Sequence, residues 1–140
     1  MNGKLGLIHR DIKPDNILIS NNKENSSIQH ESPGGSADPL FNINLADFGL
    51  TCQIDDPKYI YNLCGTAGYV APEILNSDGQ FSFKADVFSV GAVIYSMLTG
   101  HNLFPGHSSQ DILANNRAMD PTKSIKRISS KYGMLCKDFL

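Results

Sequence analysis

The sequence is poor in the features that mark several common classes of protein. It holds three cysteines, Cys52, Cys64 and Cys136, whose odd number and wide spacing make neither a disulfide framework nor a CxxC metal clip. Reduced thiols and a cytoplasmic location are the expectation. Residues 1–7 carry no long apolar stretch after Lys4, which argues against a secretory signal. The longest apolar run, residues 87–98, is interrupted by Ser89 and Ser96 and falls short of the roughly 20 residues that span a bilayer. A net charge of −2 supplies no basic field for a nucleic-acid backbone or an anionic membrane surface, so neither partner is expected. No internal repeat is present. With 41% hydrophobic and 19% charged residues the chain is too apolar to be disordered throughout. Its 140 residues suffice for one modest domain with a real core.

A β-branched-rich apolar run and a stretch of period-2 patterning mark two short strands. One is the apolar run Ile17, Leu18, Ile19; in the other Phe41, Ile43 and Leu45 alternate with Asn42, Asn44 and Ala46. Between them, residues 20–39 are crowded with Asn, Ser, Gly and Pro and contain almost nothing large and apolar. Such a stretch cannot offset its own ordering entropy, and it reads as a flexible loop inserted into an otherwise tight hairpin. Pro72 suits the first turn of a short helix, where its missing N–H costs nothing. Residues 84–98 predict a longer helix, stopped by Thr99 and Gly100, with apolar side chains on nearly every face. Such a helix needs neighbours all round. Residues 111–115 and 130–140 predict further helical segments.

Three motifs carry the chemistry. His9-Arg10-Asp11-Ile12-Lys13-Pro14-Asp15-Asn16 matches HRDxKxxN at every fixed position. Asp47-Phe48-Gly49 follows after a strand, and residues 65–73 read GTxxYxAPE. A lone Asp-Phe-Gly is a common turn tripeptide and would mean little by itself; its place in this series gives it weight. The set resembles the catalytic loop, the magnesium motif and the end of the activation segment of eukaryotic-type protein kinases, in family order. Asp86-Val87-Phe88-Ser89-Val90-Gly91 is similar to the DxWSxG start of that family's central helix, with Phe88 in place of the usual Trp. Lys13, two residues after Asp11, and Thr66 are features of the Ser/Thr class. The stretch 63–73 looks most like the calcium/calmodulin-dependent and related kinases.

The resemblance implies an α+β fold: a mostly α-helical C-lobe fragment with a short β-hairpin at the catalytic cleft and the N-lobe absent. Residues 1–140 would be a partial kinase domain running from the catalytic loop to the middle of the C-lobe. Neither a GxGxxG phosphate loop nor a VAIK lysine occurs in the sequence, so ATP would meet half a pocket. The implied activity is transfer of the ATP γ-phosphate to Ser or Thr of a protein substrate, with Mg²⁺, in partnership with the missing N-lobe. Phosphoryl transfer asks for in-line positioning and charge neutralisation, which carboxylates, an amide and one cation supply. By resemblance, Asp11 orients the substrate hydroxyl and takes its proton, and Lys13 acts with it and contacts the phosphate. Asn16 and Asp47 hold metal and nucleotide, and Thr66 positions substrate. His9 reads as a packed core residue, Asp15 as a surface carboxylate, and Asp86 as an anchor for the catalytic-loop backbone.

Two further expectations follow. Where many relatives carry an activating phosphothreonine, this chain has Asn62, which offers Arg10 no charge, so no primary activation-loop phosphate is expected there. As an isolated piece the chain should be sticky and inactive, because each large apolar side chain left wet forfeits roughly 1.5–3 kcal/mol. The alternative is a kinase-derived fragment that binds partners or substrates without catalysis.

Overall fold

The computed structural model describes residues 6–21, 41–54, 56, 63–76, 82–118 and 124. Among the described residues, four strands form two antiparallel pairs. Strand β2 (Ile17–Asn21) pairs with β3 (Phe41–Leu45) in the register Ile17↔Leu45 to Asn21↔Phe41. Strand β1 (Leu7–Ile8) pairs with β4 (Cys52–Gln53) through Leu7↔Gln53 and Ile8↔Cys52. The pairs are nested in sequence. The chain between β1 and β2, residues 9–16, and the chain between β3 and β4, residues 46–51, are therefore bracketed by both ladders and brought together. These are the HRDxKxxN segment and the segment containing Asp47-Phe48-Gly49.

Three α-helices with described bounds follow. Helix α1 (Pro72–Leu75) starts with proline at its first position, as expected. Helix α2 (Phe83–Thr99) is capped by Ser82, whose Oγ accepts from the N–H of Lys84 at 3.3 Å. It ends at Gly100, which takes the left-handed conformation (φ 71°) and donates to Ser96 O at 2.8 Å. Helix α3 (Ser109–Arg117) begins with a reciprocal capping box. Ser108 Oγ accepts from Asp111 N–H and Asp111 Oδ2 accepts from Ser108 N–H, both at 3.1 Å. No helix among the described residues is long and apolar enough to cross a membrane.

Helix α2 carries the core. Near its start Ala85 joins Ile8, Cys52, Val70, Ala71, Ile74 and Leu75 in one buried cluster. Two turns on, Ala92 and Tyr95 join Leu103 and Phe104 in a second. Phe88 packs against both and stacks on Phe104, ring centroids 6.4 Å apart. A different stripe of the same helix, Phe83, Val87, Val90 and Met97, is exposed among the described residues.

Several expectations are corrected here. The loop expected over 20–39 does not begin at Ser20: Ser20 and Asn21 continue β2 opposite Asn42 and Phe41, because backbone pairing extends a ladder whatever the polarity of its exposed side chains. Residues 22–39 lie outside the described residues, as does the helix expected at 130–140. Two strands were expected and four are present among the described residues, since β1 and β4 contribute two residues each and show no periodicity. The helix expected over 84–98 gains one residue at each end. The one expected over 111–115 runs from Ser109 to Arg117, its true start set by the Ser108 cap.

Candidate active site

The loop 9–16 is held by one carboxylate. Asp86, in the first turn of α2, accepts from His9 N–H with Oδ2 (2.7 Å) and from Arg10 N–H with Oδ1 (3.0 Å). The grip fixes a sharp bend, for Arg10 has φ 69°, a conformation that residues other than glycine adopt only at a cost of roughly 1–3 kcal/mol. Arg10 Nε donates to the Leu50 carbonyl, tying the loop to the opposing segment. His9 is buried, and its Nε2 lies 3.1 Å from Ala46 O while its Nδ1 lies 3.4 Å from Asp11 N–H. A carbonyl only accepts, so these partners assign the proton to Nε2. The His9 ring also tilts against Phe48, with centroids 5.1 Å apart. His9 is scaffolding, as its sequence context suggested, and Asp86 anchors the loop backbone.

Within this frame Asp11, Lys13, Asn16 and Thr66 form one hydrogen-bonded cluster. Thr66 Oγ1 donates to Asp11 Oδ1 at 2.6 Å, Lys13 Nζ pairs with Asp11 Oδ2 at 2.9 Å, and Lys13 Nζ also donates to Thr66 Oγ1 at 3.0 Å. Asn16 Nδ2 donates to Asp11 O at 2.8 Å and to Asp11 Oδ2 at 3.3 Å. Burial works against the Asp11 charge. Hydrogen bonds from Thr66, Lys13 and Asn16, with the Lys13 charge, outweigh it and hold the carboxyl below the usual carboxylate range. Lys13 is pushed above the usual lysine value, first by its bond to Asp11 and then, against partial desolvation, by the charges of Asp11, Asp15 and Asp47.

Thr66 reaches Asp11 because Gly65 permits it. Gly65 has φ 107°, and a Cβ there would stand 2.9 Å from Arg10 O, so only glycine lets the segment lie this close to the loop. Asn116 Nδ2, buried in α3, supports the same segment by donating to Val70 O at 2.7 Å. The Cys64 thiol just before it is pushed up by burial, with the Arg10 charge opposing, which makes it a poor nucleophile.

Asp47 stands apart from the cluster. Ala46 N–H donates to Asn16 O at 2.8 Å, which places Asp47 one residue beyond the Asn16 backbone. Asp47 has φ 59°, is exposed, and accepts from Gly49 N–H at 3.2 Å. Asn16 spends its Nδ2 on Asp11, leaving Oδ1 as the atom for a metal. One amide oxygen and one carboxylate are hard donors and too few for a closed cage, and no group of three His, Cys, Asp or Glu among the described residues could hold an ion. This donor set fits Mg²⁺, which takes its remaining positions from water and phosphate oxygens.

Sequence reasoning missed Ala46, whose N–H and C=O join Asn16 to His9. Backbone atoms do this work, so residue type gave no signal. It also missed Asn116, where only a buried position, invisible in sequence, distinguishes it from Asn115. Asn62 lies outside the described residues.

Comparison with known proteins agrees with this geometry. The family model for the protein kinase domain matches residues 4–140. The serine/threonine-protein kinase ULK1 of Homo sapiens is 36% identical over 121 residues, 84% of this chain and 10% of that protein. The serine/threonine-protein kinases GL21140 of Drosophila persimilis and CG17528 of Drosophila melanogaster are 37% and 36% identical over 106 residues, in each case 76% of this chain and 12% of theirs. The chain belongs to the protein kinase domain family. It spans about a tenth of the length of these relatives.

Proposed function

We propose that the chain supplies the C-lobe side of the catalytic cleft of an ATP- and Mg²⁺-dependent Ser/Thr protein kinase. The carrying observation is the cluster in which Thr66, Lys13 and Asn16 converge on the Asp11 carboxylate. Asp11 is ionised at neutral pH and so accepts a hydrogen bond from the substrate hydroxyl, aiming its oxygen at phosphorus. With its basicity lowered further, it takes the proton only late, as the new O–P bond forms and ADP departs. Lys13 places a compact positive charge beside the transferring group. Thr66, bonded to both Asp11 and Lys13, fixes their spacing and meets the substrate. Asn16 and Asp47 would hold Mg²⁺, which supplies charge neutralisation to the phosphates.

We further propose that an N-lobe and further helices cover what the described residues leave bare. Leu18, Ile19, Phe41 and Ile43 on the hairpin and Phe83, Val87, Val90 and Met97 on α2 are exposed. A surface this apolar favours association with a partner lobe or domain. Cys52 and Cys64, both free, suit the cytoplasm.

The test is phosphate transfer from labelled ATP by the protein with its complete kinase domain. Asp11→Asn should cost about a hundredfold or more in kcat, the range for removing a positioned acid–base group. Asp47→Ala should abolish Mg²⁺-dependent nucleotide binding. Undiminished transfer in both variants would end this reading.

A further inference from the structure

Helix α3 reaches the catalytic cluster through one buried amide. Asn116, in its last turn, is fully buried, and its Nδ2 lies 2.7 Å from Val70 O. A carbonyl only accepts, so the amide presents an N–H to Val70 and turns its Oδ1 elsewhere. From Val70 the path to the cluster is short. The N–H groups of Tyr69 and Val70 both donate to Thr66 O at 3.1 Å, and Thr66 Oγ1 donates to Asp11 Oδ1 at 2.6 Å. The Val70 side chain also lies against Gly65, where an added Cβ would meet it at 3.6 Å.

For stability alone the amide is a poor choice. Its Oδ1 is buried with no hydrogen-bond partner among the described residues, and an orphaned buried acceptor forfeits the bonds it had in water. An apolar side chain of the same volume would avoid that loss. What such a side chain cannot supply is a donor for Val70 O. The neighbouring carbonyl, Tyr69 O, takes its bond from Ser89 Oγ at 2.8 Å, but Ser89 has one hydroxyl proton and also lies 3.0 Å from Ala85 O. Among the described residues Asn116 therefore gives this turn its undivided side-chain donor.

We propose that Asn116 is a positioning residue for phosphoryl transfer: by holding Val70 O it fixes the turn 66–70, and with it the position from which Thr66 meets Asp11. The proposal rests on the kinase reading above and adds to its machinery a residue that lies outside the three motifs.

Asn116→Leu keeps the volume and removes the donor. In the protein with its complete kinase domain it should lower kcat for peptide phosphorylation about tenfold, the scale of one lost hydrogen bond. KM for ATP should stay unchanged, because Asn16 and Asp47 are untouched. An effect that runs through Thr66 is not additive with the loss of Thr66. In a Thr66→Val background Asn116→Leu should therefore change kcat by less than about twofold. An equal fall in both backgrounds, no fall in either, or a fall that matches the unfolded fraction measured by circular dichroism would reduce Asn116 to packing and overturn the proposal. Should Asn116→Leu not fold, Asn116→Ala takes its place, and failure of both to fold overturns the proposal as well. A second readout needs no turnover. With methyl-labelled threonine, the Thr66 methyl resonance, assigned by its loss in Thr66→Val, should move in Asn116→Leu; an unmoved resonance is a refutation. If the unaltered protein transfers no phosphate, the kinase reading fails, and the Thr66 resonance still decides whether Asn116 sets the position of Thr66.

Discussion

Residues 9–16 and the β2–β3 hairpin adjoin each other in the chain and are stabilised in opposite ways. In the loop, Asp11 and Asn16 are 8% and 6% exposed, and their side chains are bonded to each other and, through Asp11, to Thr66 of a distant segment. In the hairpin, Ile19 and Ile43 are 64% and 70% exposed, and a backbone ladder joins the strands. The first region is finished by the chain's own residues, whereas the second offers apolar surface. The polar cluster is thus built in locally, and hydrophobic stabilisation beyond the two core clusters is left to whatever lies across the hairpin and the exposed stripe of α2.

This contrast can be broken at its strongest point. Asp86→Ala removes two charge-assisted bonds to buried N–H groups and should cost roughly 3 kcal/mol, read as a shift in the urea midpoint of the complete domain. A cost under about 0.5 kcal/mol would show that the bend at Arg10 is held by something else.

A smaller effect lies in pH. The folded Asp11 carboxyl is depressed, so its contribution is complete above the ordinary value of about 3.9 and is lost as pH falls through the lower folded value. Lys13 is raised, so its contribution is complete below about 10.4 and is lost as pH climbs through the higher folded value. Melting temperature should therefore show a plateau between these limits, and Lys13→Met should remove the alkaline edge while lowering the plateau.

The smallest effect belongs to the hairpin. Ile43→Thr should change the stability of the 140-residue chain by less than about 0.5 kcal/mol, as surface changes do. If a partner lobe covers Ile43, the same change in the complete domain should cost more than about 1 kcal/mol. Equal costs in both would remove the argument that the hairpin awaits a cover.

How much of this was legible in the sequence depends on the kind of signal. Asp11, Lys13, Asn16 and Thr66 were all nameable, because the motifs fix residue type at each, and the structure gathers them within hydrogen-bonding reach. The role of Asp86 was also legible. Strands β1 and β4 were not, since two residues cannot display a period. The exposure of Val87, Val90 and Met97 was hidden too: an apolar helix announces that it needs covering, but not which stripe its own chain covers. The start of α3 was missed because Ser108 is an ordinary serine until Asp111 is seen to return its hydrogen bond.

The nested ladders have one more consequence. The pair Asn21↔Phe41 closes a ring on residues 22–40, and four further rungs separate that closure from Asn16 and Asp47. Lengthening a closed ring costs little, about 0.6 kcal/mol for each doubling. The hairpin therefore acts as a standoff: cargo such as a fluorescent tag or a protease site can be spliced between Asn21 and Phe41 while the distance from Asn16 to Asp47 stays as the ladder sets it.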